Sequence, residues 1–208
     1  MLSKKYSLLV LLIMTLVFFF SACESVEHKK EDTIFFNQDL ELLSAPDSIN
    51  DAKIVIAPPK NWKIPDSSLI STISSKLDQV RDSSINYRYS LLKIFLDSTS
   101  SSILSVGLIE QNQSKASVAV NKTEYVSMVE KSFLSKNVKR GFFVKDNIEI
   151  VQFLIQEVDF ITFKLIFLNH RNNIVQIDYI LNSKKYLDLI KTVESSISSI
   201  NLIKRESL

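Results

Sequence analysis

Near residues 139 to 145, 148 to 157, 160 to 169 and 173 to 181 the chain runs through four strand-like segments in close succession, and these limit the fold more than anything else in it. The connections between them carry turn chemistry, with Asp146-Asn147 and His170-Arg171-Asn172-Asn173 the clearest. Asn and Asp tolerate left-handed backbone and bond to their own main chain, so short connections of this kind join antiparallel neighbours. Within the segments, Val151 to Ile155 and Lys164 to Leu168 place apolar side chains on both faces. A sheet wetted on one side alternates apolar with polar residues, so these central strands must be covered on both sides.

Three helical patterns can do the covering. Asp66 reads as the N-cap of a helix over about residues 67 to 82, with Leu69, Ile70, Ile73, Leu77 and Val80 along one stripe and serines and charges facing water. A second helix is predicted near 122 to 136, where Tyr125, Met128, Val129 and Phe133 share a face. The best-patterned helix closes the chain from about Ser183 to Ile200: Tyr186, Leu189, Ile190, Val193, Ile197 and Ile200 form one stripe, and Lys184, Lys185, Lys191 and Glu194 lie opposite. Earlier, Ile34 to Phe36 open a first strand-like segment. Lys53 to Ala57 form a strand that stops at Pro58-Pro59, because two prolines remove two ladder donors. Strands near 86 to 96 and 102 to 110 make a hairpin around Ser98 to Ser101. The expected architecture is an α/β/α sandwich, α+β in class, around a mainly antiparallel sheet.

The N-terminus carries an address. Lys4 and Lys5 precede an apolar run from Leu8 to Phe20, then the small pair Ser21 and Ala22, then Cys23. A run of about thirteen residues is shorter than the ~20 needed to span a bilayer as a helix and matches the grammar of a signal peptide. Phe20-Ser21-Ala22-Cys23 resembles the lipobox of bacterial lipoproteins, although Phe20 stands where Leu is usual. That resemblance implies cleavage before Cys23, acylation of its thiol and a membrane anchor. Residues 1–22 are then a signal peptide, 23–32 a mixed-charge lipidated tether and 33–208 a single α/β domain. Glu24 is not the Asp that marks inner-membrane retention in enteric bacteria, so the expected destination is the outer membrane. Cys23 is the only cysteine, so the domain contains no disulfide and must be held by its core.

Charge and composition exclude several functions. Removing Lys4 and Lys5 from the 25 basic residues leaves 23 against 23 acidic ones, a neutral mature chain that argues against nucleic-acid binding. With only Gly107 and Gly141, there is no glycine-rich phosphate loop and no dinucleotide fingerprint. Of the two histidines, His28 lies in the tether and His170 in a polar turn, and neither has a nearby second ligand for a metal. A Ser/His/Asp site using His170 has no positive support. Glu149, Glu157, Asp159 and Asp178 fall on predicted strands, with Asp178 read as an outward polar position. Trp62, in a proline-bounded loop, either caps the core or meets a ligand; Phe142, Phe143, Phe160, Phe163 and Phe167 could line a ligand pocket, although such residues are more often core. Asn112 and Asn121 match glycosylation sequons, a coincidence in a bacterial lipoprotein. No catalytic, cofactor or metal residues are assigned.

Taken in order, these elements resemble the PsbP-like fold. The resemblance is carried by Pro59-Lys60-Asn61-Trp62-Lys63-Ile64 after an early strand, and by Ile177-Asp178-Tyr179-Ile180 running through Tyr186 to Ser195-Ser196-Ile197-Ser198-Ser199-Ile200. It implies a non-enzymatic binding or accessory role, with another envelope protein as the expected partner, and it transfers no site residues. Two other functions stay open. A small-molecule or lipid-binding domain needs a pocket between the sheet and the helix at residues 67 to 82. A hydrolase needs a site assembled only in three dimensions.

Overall fold

The computed structural model describes residues 36–79, 87–111, 121–133 and 137–203. The signal peptide, Cys23 and the tether lie outside them, as do Ile34 and Phe35 of the expected first strand. Phe36 to Asp39 are not in a strand. Among the described residues the first strand is β1 (Asp47–Ile49), which pairs antiparallel with β2 (Ile54–Ile56).

After β2 comes α1 (Ser67–Gln79). Asp66 Oδ1 accepts the Leu69 N–H at 2.9 Å and the Ser68 hydroxyl at 2.6 Å, the expected cap. These bonds, the Ser68 hydroxyl first, hold the Asp66 carboxyl below its ordinary range. Of its stripe, Leu69 is exposed and Ile70 and Ile73 are half-buried, while the Leu77 side chain and the expected last residues, Val80 to Asp82, lie outside the described residues.

The hairpin β3 (Tyr87–Asp97) and β4 (Ser102–Gln111) follows, then α2 (Lys122–Ser132), β5 (Asn137–Lys145), β6 (Ile148–Gln156), β7 (Phe160–Leu168), β8 (Ile174–Asn182), α3 (Tyr186–Ser198) and β9 (Asn201–Leu202). Asn121, one of the two sequon residues, caps α2 through its side-chain oxygen. The predicted last turn of that helix is cut short at Phe133, and the closing helix begins with a 3-10 turn at Ser183–Lys185. Asp146 and Asn147 both take positive φ in the two-residue turn between β5 and β6, which is the left-handed geometry a tight hairpin demands.

The long strands form one six-stranded antiparallel sheet in the order β3-β4-β8-β7-β6-β5. A separate three-stranded sheet, β1-β2-β9, was not foreseen, because strands of two or three residues are too short to show a period. The class is α+β with a mainly antiparallel sheet and, among the described residues, three α-helices.

One face of the large sheet packs Leu104, Val106, Phe163, Leu165, Val175, Ile177 and Tyr179 against Val193, Ile197 and Ile200, together with Ile54, Ile56 and Trp62. Trp62 therefore caps the core. On the other face, Ile109, Val151, Phe153, Ile155, Ile166 and Ile174 pack against Tyr125, Val126 and Val129 of α2. Both faces are covered, as the two-sided apolar pattern requires, but α3 shares the first face with the small sheet.

Candidate functional site

A nearly buried ion pair lies on the α2 face of the large sheet. Hairpin register brings Lys164 of β7 directly opposite Asp178 of β8. Their side chains are 13% and 11% exposed, and Lys164 Nζ donates to Asp178 Oδ1 at 2.7 Å. The second carboxylate oxygen accepts from Gln176 Nε2 at 2.7 Å, and Gln176 Oε1 accepts the hydroxyl of Tyr125 from α2. Asp178 is thus a buried, ion-paired residue, which corrects its reading as an outward polar position. Two-residue spacing puts Gln176 and Asp178 on one face, and the register supplies Lys164 from the next strand.

Beside this chain, the Tyr89 hydroxyl donates to Ser105 Oγ at 3.1 Å. Gly107 makes room for that ring. A Cβ added there would sit 2.6 Å from Tyr89 Cε2 and 2.5 Å from the Ser90 carbonyl oxygen. Burial, then the nearby Asp178 charge, pushes the Tyr89 and Tyr125 hydroxyls above the usual phenol range. Both phenols therefore stay protonated at neutral pH and act as donors. Chemically the array is closed, since its cation, carboxylate, amide and Tyr125 phenol satisfy one another.

The other sequence candidates do not gather. His170 is exposed in the turn between β7 and β8, and Glu149, Glu157 and Asp159 are exposed. Among the described residues, no group of three or more His, Cys, Asp or Glu could hold a metal ion. Phe143, Phe163 and Phe167 are core as expected, Phe142 is half-buried, and Phe160 is exposed. His28 and Asn112 lie outside the described residues.

A cleft of about 280 Å³ opens at the β5 edge of the sheet, lined by Phe36, Gln38, Phe143, Lys145, Asp146 and Ser198 among others. Phe36 meets Phe143 edge to face with centroids 5.1 Å apart. Helix α1 lies against β3, at the opposite edge, so this cleft is not the pocket between the sheet and that helix which small-molecule binding was expected to need. Also unforeseen is the serine side of α3. Ser196 Oγ lies 2.8 Å from the Tyr179 hydroxyl and donates to the Ala57 carbonyl at 2.7 Å, while Ser199 Oγ accepts the Ala57 N–H at 2.8 Å. These bonds stitch α3 to the end of β2, and a helical wheel that counts only large apolar residues misses them.

No protein-family model matches the chain, and no curated relative matches it. Among solved structures it is similar to the solution structure of cyanobacterial PsbP (CyanoP) from Synechocystis sp. PCC 6803, with a TM-score of 0.43 and 14% identity. That match covers 77% of this chain and 92% of the other. The α+β assignment rests on the strand order and registers above, and no residue role is carried across from that protein.

Proposed function

We propose that the chain is a non-enzymatic lipoprotein of the bacterial envelope, anchored through an acylated Cys23, whose α+β domain binds another envelope protein. The observation that carries the non-enzymatic reading is the closure of the Tyr125-Gln176-Asp178-Lys164 array. Catalytic groups must be poised toward a reacting atom, whereas these bond to one another and fix α2 to the sheet. The anchor is supported by the apolar run and Phe20-Ser21-Ala22-Cys23, and an outer-membrane address by Glu24. Cys23→Ser should abolish metabolic labelling with a fatty acid and release the protein from the membrane fraction into the soluble one. Labelling equal to that of the unaltered chain refutes the anchor.

A second reading, small-molecule or lipid binding, is favoured by the cleft beside Phe36 and Phe143. Its volume falls just below the roughly 300 Å³ at which ligand pockets begin. Phe143→Ala should weaken binding of an apolar fluorescent probe there, and a probe indifferent to that change removes this reading.

A further inference from the structure

We propose that the free edge of β5 is a docking site for an acidic, extended segment of a partner protein, which joins the large sheet as a seventh strand; this rests on the protein-binding reading above. β5 is nine residues long, shows no register break and, among the described residues, pairs only with β6. In such a ladder alternate residues aim N–H and C=O outward, and no backbone group among the described residues takes them on this side. The opposite edge is treated differently. β3 has a register shift between Leu91 and Lys93, and the main chain of Lys63 pairs with Leu96 in both directions. Such bulges and covers are how natural sheets close their edges, and among the described residues β5 has no bulge and no backbone partner on its outer side.

Charge specifies the occupant. The mature chain is neutral, yet residues 131–145 carry Lys131, Lys136, Lys139, Arg140 and Lys145 with no acidic residue. Arg140 meets Glu130 at 3.3 Å and Lys145 meets Asp146 at 2.6 Å, while Lys139 is exposed. A second copy of β5 fits poorly, because antiparallel self-pairing about Phe142 would set Lys139 opposite Lys145, and like charges directly opposed destabilise a ladder. An incoming strand with acidic residues on the Lys139 and Lys145 face meets no such cost. Its alternate apolar residues would face half-buried Phe142 and Val144, which is 59% exposed.

The test uses the full chain and a blocked, fluorescent ten-residue peptide of alternating glutamate and valine, read by anisotropy. Binding should weaken at least tenfold with Lys139→Glu, and Lys139→Met serves if the first variant disturbs folding. N-methylating alternate peptide amides should abolish binding in one phase and spare it in the other, since only one edge of the peptide enters the ladder. Failure to bind, equal binding by both phases or by the variants, or displacement of the peptide by phosphatidylglycerol vesicles overturns the proposal. A photo-crosslinker at Val144 and another at Leu187, an exposed residue in the first turn of α3, used in cells, separate this from the broader reading. Crosslinks at Leu187 alone overturn the β5 site and leave the protein-binding reading standing. Crosslinks at neither position overturn both.

Discussion

The two faces of the large sheet are held by different physics. On the α3 face, Val193, Ile197 and Ile200 pack with Val175, Ile177 and Tyr179, and the Tyr179 and Ser196 hydroxyls bond to each other, Ser196 also to the Ala57 backbone. On the α2 face a smaller apolar cluster flanks an ion pair and an amide, and the helix contributes Tyr125 to that array. Apolar burial is non-directional, so the first face gains stability from area. A buried ion pair gains little net energy, because desolvation offsets attraction, but breaking one partner is costly. The α3 face therefore supplies stability, and the α2 face supplies a defined position for its helix.

That contrast breaks if substitutions on the two faces behave alike. The largest effect is expected from Val193→Ala combined with Ile197→Ala, since both side chains are fully buried. Truncating a buried Ile alone costs about 2 to 5 kcal/mol, a large part of a domain's stability. Calorimetry should show loss of the cooperative transition or a steep fall in Tm, whereas exposed Lys191→Ala should leave it in place. Next comes Asp178→Ala, which strands the Lys164 cation and is expected to cost on the order of 3 kcal/mol. Lys164→Met with Asp178→Asn, a neutral pair that keeps an acceptor for Gln176, should recover most of that loss. Should the neutral pair melt as low as Asp178→Ala, the charges stabilise outright and the contrast between the faces fails.

The same contrast separates what could be read in the sequence from what could not. The long strands and the cores of α1, α2 and α3 were legible because each repeats a period over nine or more residues. β1 and β9 were not, since each is a strand only because β2 lies beside it. Asp178 was misread for want of a partner, although a signal existed. Counting outward from Arg171 at the centre of its turn, Lys164 and Asp178 are equally distant, and a symmetric hairpin sets them face to face. Tyr125 and the Ala57 backbone reach their partners from far along the chain, and nothing in local periodicity carries that. Neither the cleft nor the free edge of β5 has a sequence pattern of its own, because each depends on which elements end up adjacent.

The smallest expected effect sharpens the account of the α3 face, where the helical pattern sets Glu194 opposite the apolar stripe. It is half-buried, and burial pushes its carboxyl above the ordinary glutamate range. A raised carboxyl pKa means that the folded state holds the proton more tightly than the unfolded one. Ionising Glu194 therefore costs folding free energy. The penalty is fully present above the folded pKa and vanishes below the unfolded value, so this group makes stability fall as pH rises through that window. Glu194→Gln removes the penalty without removing the side chain. At about pH 8 it should raise Tm slightly relative to the unaltered chain, and at about pH 3.5, below the ordinary glutamate range, the two should melt together. A gain of equal size at both pH values would trace the effect to packing rather than to charge. A loss at about pH 8 would mean that the Glu194 carboxylate stabilises the helix, and that the polar side of α3 meets water as freely as a simple helical wheel suggests.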